Sequence, residues 1–182
     1  MIVFRRVVQN PDGTHQQDSY VVTVDVAAGT AGAPTPLAIT PFGEYRPTWS
    51  PDGTRIAFAR DVACSGCTAI FIRDLATGNE VQLPFGFAGF NSNPEWSPDG
   101  TRIAFDGPGP ASEDIFIVNI DGTGLSQISF PNSDEMYPTW SPDGGAIAFQ
   151  SSGYCIVKLN LATGVVTQIP SAVCGHNPDW SP

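Results

Sequence analysis

Trp49-Ser50-Pro51-Asp52-Gly53-Thr54-Arg55-Ile56-Ala57-Phe58 decides the fold, because the chain writes it more than once. Trp96-Ser97-Pro98-Asp99-Gly100 leads into Arg102-Ile103-Ala104-Phe105, and Trp140-Ser141-Pro142-Asp143-Gly144 leads into Ala146-Ile147-Ala148-Phe149. A fourth Trp-Ser-Pro stands at Trp180-Ser181-Pro182. The tryptophans at 49, 96, 140 and 180 are spaced by 47, 44 and 40 residues. Self-similarity at this period marks a repeat architecture.

Each unit reads as four strands. Strand A ends at the tryptophan. Ser-Pro-Asp-Gly is a turn: Pro presets φ, Asp caps its own backbone, and Gly supplies the positive φ that closes the hairpin. Strand B alternates Ile and Phe with small residues. Strand C is a β-branched run, expected at Tyr20 to Val26, Ala69 to Arg73, Ile115 to Ile120 and Ile156 to Leu159. A second turn follows at Val26 to Gly29, Leu75 to Gly78, Asp121 to Gly124 and Leu161 to Gly164. Strand D is short, at Leu37 to Thr40, Val81 to Leu83, Gln127 to Ser129 and Val166 to Ile169. Nothing shows helical periodicity.

A four-stranded antiparallel unit of this size cannot bury both faces alone. Units stacked around an axis bury them against one another and shelter their edges. The expected fold is therefore an all-β propeller, one domain over 1–182, with units at 1–48, 49–95, 96–139 and 140–182. Trp-Ser-Pro-Asp-Gly followed by Arg-Ile-Ala-Phe, with Ala-Thr-Gly in the second turn, resembles the WD-like repeat of the TolB β-propeller family. The resemblance covers nearly the whole chain. It implies blades like those of periplasmic TolB and of the propeller domains of some peptidases.

Met1 to Phe4 aligns with strand B, and Trp180 closes a strand A. One A–B hairpin is thus split between the chain ends. Three arrangements follow: closure of a four-bladed ring within the chain, exchange of ends in a homodimer with a larger ring, or a piece of a longer propeller.

Composition narrows the partners. The net charge is −10, and Lys158 is the sole lysine. A nucleic-acid partner needs clustered Lys and Arg, so none is expected. No stretch reaches the roughly 18 apolar residues of a membrane span, so no membrane insertion is expected. Met1 to Val8 lacks the apolar run of a signal peptide.

In a propeller the A–B and C–D turns share one face and the B–C and D–A loops share the other. Here the first face is uniform and the second varies from unit to unit, as a binding surface does. The residues before each Pro-x-Trp enter the strand nearest the axis. Glu44, Tyr45, Arg46, Asn91, Ser92, Asn93, Glu135, Met136, Tyr137, His176 and Asn177 are therefore expected to ring the channel mouth. Such a mixed polar and aromatic rim suits a protein, a peptide or a glycan. For any single residue, turn packing is the plainer role.

Cys64 and Cys67 share one B–C loop, while Cys155 and Cys174 begin a strand C and sit in the next D–A loop. The helix of a redox Cys-x-x-C and the further ligands of a zinc site are both missing. Two disulfides, Cys64–Cys67 and Cys155–Cys174, are expected, and with them an oxidising compartment, periplasmic or extracellular. Asp52, Asp99 and Asp143 read as turn formers. Acidic clusters at 112–114 and 133–135 offer at most weak calcium sites, so no cofactor is expected.

His15 and His176 are the only histidines, in loops of different units. No nucleophile elbow or phosphate-cradling loop occurs. The expected function is a non-catalytic binding module. One alternative is an assembly unit that exchanges strands between chains. The other is a glycan-active hydrolase or lyase using carboxylates among Glu44, Glu95, Glu135 and Asp179.

Overall fold

The structure is a computed structural model that describes all residues except 10–12, 14, 38–39, 85–88, 129, 131–132, 153–154, 170–176 and 181–182. Its strands are β1 (Ile2–Gln9), β2 (His15–Val22), β3 (Val24–Asp25), β4 (Thr30–Ala31), β5 (Thr35–Pro36), β6 (Glu44–Trp49), β7 (Arg55–Asp61), β8 (Thr68–Asp74), β9 (Glu80–Gln82), β10 (Ser92–Trp96), β11 (Arg102–Pro108), β12 (Glu113–Asn119), β13 (Ser126–Ile128), β14 (Glu135–Trp140), β15 (Ala146–Ser151), β16 (Cys155–Asn160) and β17 (Val166–Gln168). No helix occurs among the described residues.

Three four-stranded antiparallel meanders run β6 to β9, β10 to β13 and β14 to β17. A three-stranded sheet β1-β2-β5 precedes them, with the β3–β4 hairpin at its side. The repeated sequence produces one repeated register: Trp49 faces Ile56, Trp96 faces Ile103, and Trp140 faces Ile147. The turn chemistry repeats as well. Asp52 Oδ1 accepts bonds from Ser50 Oγ at 2.6 Å and Thr54 N at 3.0 Å, and Gly53 takes φ 69°. Asp99 holds Ser97 and Thr101 in the same way. These bonds to the charged carboxylate, Ser first, pull both Asp52 and Asp99 down to about 2. In the C–D turns Asp74 Oδ1 accepts from Ala76 N and Thr77 N, and Asn160 Oδ1 does the same for Ala162 and Thr163.

The first unit departs from the expected strands. Its strand C is β2 from His15 to Val22, and Val24–Asp25 leaves that strand to pair with Thr30–Ala31. Its strand D pairs at Thr35–Pro36, before the expected Leu37–Thr40. Leu37 still donates its N–H to Ser19 O at 2.7 Å, and its side chain is buried. The longer turn of this unit carries a second hairpin, which draws the pairing toward the N-terminal side.

The core lies between successive sheets. Phe58, Phe105 and Phe149, one per B strand, are 0% exposed. Each buries roughly 1.5–3 kcal/mol of apolar transfer free energy. One cluster joins Ala57, Ile70 and Leu83 to Trp96, Phe105 and Phe116 of the next sheet. Another joins Ala104, Ile115 and Ile117 to Trp140, Ile147 and Phe149.

A second seam runs nearer the axis. Trp96 Nε1 donates to Thr48 O at 3.3 Å, Trp140 Nε1 to Glu95 O at 3.2 Å, and Trp180 Nε1 to Thr139 O at 3.3 Å. Each indole is thereby tied to the preceding strand A. A cation covers each of these rings: Arg55 over Trp96, Arg102 over Trp140, Lys158 over Trp180. Ala146 stands where the other units have arginine, so the lone lysine reaches the ring from strand C instead.

Candidate functional site

Each of the three paired A strands, β6, β10 and β14, contains a bulge, and that bulge builds the site; the fourth expected strand A, at 177–180, forms no strand although Asn177 takes the same left-handed backbone. From Tyr45↔Ala59 to Thr48↔Ala57, β6 advances three residues while β7 advances two. The same extra residue occurs in β10 between Ser92 and Glu95 and in β14 between Met136 and Thr139. The cause is the X-Pro pair. Pro47, Pro94 and Pro138 have no N–H for the ladder, and the residue before each is left-handed. Arg46, Asn93, Tyr137 and Asn177 have φ of 52°, 48°, 56° and 52°. Asn tolerates this region well, whereas Arg and Tyr pay roughly 1–3 kcal/mol for it. Left-handed backbone repeated at one position in four units, at a cost in two of them, is held by the surrounding fold, and it aims those residues at the axis.

There they line a common cavity of about 430 Å³. Arg46, Asn93, Tyr137 and Asn177 contribute one tier, and Thr48, Glu95, Thr139 and Asp179 the other. Arg46 reaches across to the Tyr137 ring, its Cζ 5.9 Å from the centroid. In the second tier, burial and then the nearby Asp179 charge push Glu95 up to about 7, against a hydrogen bond from Thr48.

A second cavity of about 420 Å³ opens on the loop face beside the first. Arg46, Asn93 and Tyr137 border both, and Arg5, Tyr45, Phe90, Asp106, Glu113 and Met136 complete its principal walls. Asp106 is 4% exposed. Its Oδ1 accepts Asn93 Nδ2 at 2.7 Å and the Tyr137 N–H at 3.1 Å, joining the bulges of two sheets.

Three expected rim residues stand behind the mouth. Glu44, Asn91 and Glu135 are at most 1% exposed. Glu44 pairs with Arg60 Nη2 at 2.9 Å and accepts the Ser19 N–H of the preceding sheet. Asn91 Nδ2 donates to Thr68 O at 2.7 Å, again across a sheet boundary. Glu135 accepts from Ser133 Oγ, Ser151 Oγ and Phe130 N. The bulge explains this: a regular pleat sets residues two apart on one face, but the left-handed residue breaks that alternation, and the side chain two positions before it points back between the sheets. Glu44 and Glu135 thereby leave the set of carboxylates facing the channel. Ser92 and Met136 border the loop-face cavity. Tyr45 also borders it and donates its hydroxyl to Asp61 Oδ2 at 2.9 Å.

Cys64 and Cys67 form a disulfide. It closes a tight turn in which Cys67 N donates to Cys64 O at 3.1 Å. Cys174 and His176 lie outside the described residues, and so does the expected Cys155–Cys174 bridge. The acidic clusters engage their own loops, through Ser112 Oγ to Asp114 and Glu113 N to Asp134. Among the described residues no three His, Cys, Asp or Glu form a group able to hold a metal ion. Asp106 escaped the reading of the sequence. Its one signal is a carboxylate after Phe105, where the parallel units have Ala59 and Gln150.

Comparison with known proteins agrees with this architecture. Over 62 residues the chain is 40% identical to the Tol-Pal system protein TolB of Coxiella burnetii, a match covering 34% of this chain and 14% of that protein. The solved structure of TolB from Acinetobacter baumannii superposes with TM-score 0.67 at 22% identity, over 91% of this chain and 40% of the other. The structure of the Agrobacterium tumefaciens protein described as TolB gives TM-score 0.67 at 20% identity, over 91% and 60%. The chain spans less than two thirds of each of these proteins. The family model for the TolB β-propeller domain matches residues 34–182, and with the bulged, tryptophan-sealed blades described above this places the chain in the TolB β-propeller family.

Proposed function

We infer that the protein is a non-catalytic interaction module that receives a segment of a protein or peptide partner at its channel mouth and loop face. One observation carries the reading. Four successive units set a left-handed residue at the same position, at a backbone cost in Arg46 and Tyr137, and Arg46, Asn93, Tyr137 and Asn177 line one axial cavity. An arginine, a tyrosine and two asparagines supply aromatic surface and hydrogen bonding in a solvent-open site, the composition of a recognition surface. TolB proteins, to which the chain is similar, are named for a Tol-Pal system, which fits a partner of protein character. The Cys64–Cys67 disulfide supports an oxidising compartment, periplasmic or extracellular.

Panning a random peptide library on the protein tests this. Selected peptides lose at least tenfold in affinity on Tyr137→Ala and Arg46→Ala, and keep it on the distant exposed Val166→Lys. Selection that yields no peptide sensitive to residues 46, 93 or 137 refutes the reading. A glycan array run beside it separates sugar from peptide.

Glu95, held near neutrality beside Asp179, favours a second reading as a glycan-active enzyme, since a raised carboxyl next to a charged one suits acid and base roles. Any hydrolysis or lyase activity that survives Glu95→Gln ends it. The assembly alternative draws on β1, which among the described residues pairs with β2 alone. A monomeric mass in solution removes strand exchange between chains.

A further inference from the structure

The loop-face cavity carries charges that the channel reading does not use. Arg5, Arg46, Asp106 and Glu113 all border it, with Tyr45, Tyr137, Phe90 and Met136 as apolar surface. Among the described residues, no basic group lies within the 4.0 Å ion-pair distance of Asp106 or Glu113. Asp106 is 4% exposed and borders the cavity. Both of its protein hydrogen bonds converge on Oδ1, so Oδ2 has no protein donor among the described residues. Oδ2 is not among the fully enclosed partnerless atoms, so it is the oxygen that opens to the cavity. Burial is the largest cause raising both Asp106 and Glu113; neighbouring acids add to it at Glu113, while at Asp106 the hydrogen bonds and the Arg46 charge act against it.

We propose that this cavity is a pocket for a basic side chain of the partner, with lysine the best fit, its ammonium set against Asp106 Oδ2 and Glu113. This rests on the reading of the mouth as a recognition site and names what one subsite selects. A cavity of about 420 Å³ is large enough for one long side chain and its backbone. The methylene stem lies along Tyr137 and Met136 while the charged head reaches the carboxylates. The partner's backbone carbonyls face Arg46 and Arg5. The net charge of −10 draws cationic segments toward the surface and disfavours acidic ones. Arg46 is exposed, and its guanidinium rests over Tyr137, so an incoming cation displaces no internal ion pair.

Three acetylated, amidated tripeptides test the pocket by backbone-amide NMR titration: Gly-Lys-Gly, Gly-norleucine-Gly and Gly-Glu-Gly. The lysine peptide shifts the amides of Asp106, Glu113 and Tyr137 saturably. Norleucine, which keeps the stem and lacks the charge, binds at least tenfold more weakly, and the glutamate peptide weaker still. Asp106→Asn keeps the side chain's size and its Oδ1 acceptor and loses at least tenfold for lysine; Glu113→Gln loses a few-fold. The lysine–norleucine comparison needs no variant, so it decides the matter even if Asp106→Asn does not fold. Equal binding of lysine and norleucine overturns the proposal. So do shifts that map to Glu95 and Asp179, or the same shifts produced by calcium chloride alone. Failure of the lysine probe while library peptides still depend on Arg46 and Tyr137 rejects the pocket and leaves the channel reading standing. Loss of both rejects the recognition site altogether.

Discussion

Glu95→Gln should change how the stability of this protein depends on pH. Glu95 is held at about 7 in the folded chain against an ordinary 4.5, through burial and then the charge of Asp179. The folded state therefore binds more protons than the unfolded state between those values, and stability falls as pH rises through the window. Moving a carboxyl from 4.5 to about 7 corresponds to about 3 kcal/mol once the group is charged. The channel is open to solvent, which screens part of this, so about 1–2 kcal/mol is the expected effect. Gln keeps the shape and removes the charge. Urea unfolding of wild type and Glu95→Gln, at pH values from 4 to 8, measures the difference directly. The variant should gain about 1–2 kcal/mol relative to wild type between pH 4.5 and 8. Any constant cost of the amide cancels in that comparison, as do the other buried carboxyls, which both proteins share. Asp179→Asn should reduce the effect without abolishing it, because burial is the larger cause. A stability difference that stays flat across this range refutes the assignment of Glu95 to a desolvated, like-charged position.

Three other outcomes are expected. Glu44→Ala leaves Arg60, 5% exposed between the Phe58 and Phe71 rings, without one of its two carboxylates, and should cost about 3 kcal/mol in chemical denaturation. A loss below about 1 kcal/mol would mean that Glu80 alone satisfies the guanidinium. Arg46→Gly relieves left-handed backbone at φ 52° and should hold stability level or raise it by about 1 kcal/mol, while weakening any ligand of the mouth. Marked destabilisation by calorimetry would contradict the strain argument. Asp52 and Asp99, both held at about 2, contribute stability above their unfolded value near 3.8 that is lost as pH falls toward 2. Asp99→Asn should flatten that acid limb in circular dichroism, and an unchanged limb would show that the Ser-Pro-Asp-Gly turn does not depend on the charge.

The Ser-Pro-Asp-Gly hairpin of the three later units was legible because its information is local. Pro51, Asp52 and Gly53 define a turn whose hydrogen bonds close within five residues. Ile56 and Phe58 then alternate as a strand between two sheets must. Arg46, Asn93 and Tyr137 line the axial cavity for a related reason: a proline beside them marks where the ladder breaks. Glu44, Asn91 and Glu135 look identical in kind to those neighbours, yet the bulge turns them between sheets. Which way they face depends on the register between β6 and β7 and its counterparts, a long-range property. Asp106 depends on still more distant partners, since it becomes a carboxylate with an open oxygen only once Asn93 and Tyr137 meet over it. Burial and electrostatic coupling arise from chain segments far apart in sequence. Spacing reveals which residues fold into blades; only the assembled sheets show which carboxylates are buried and which of their oxygens stay open.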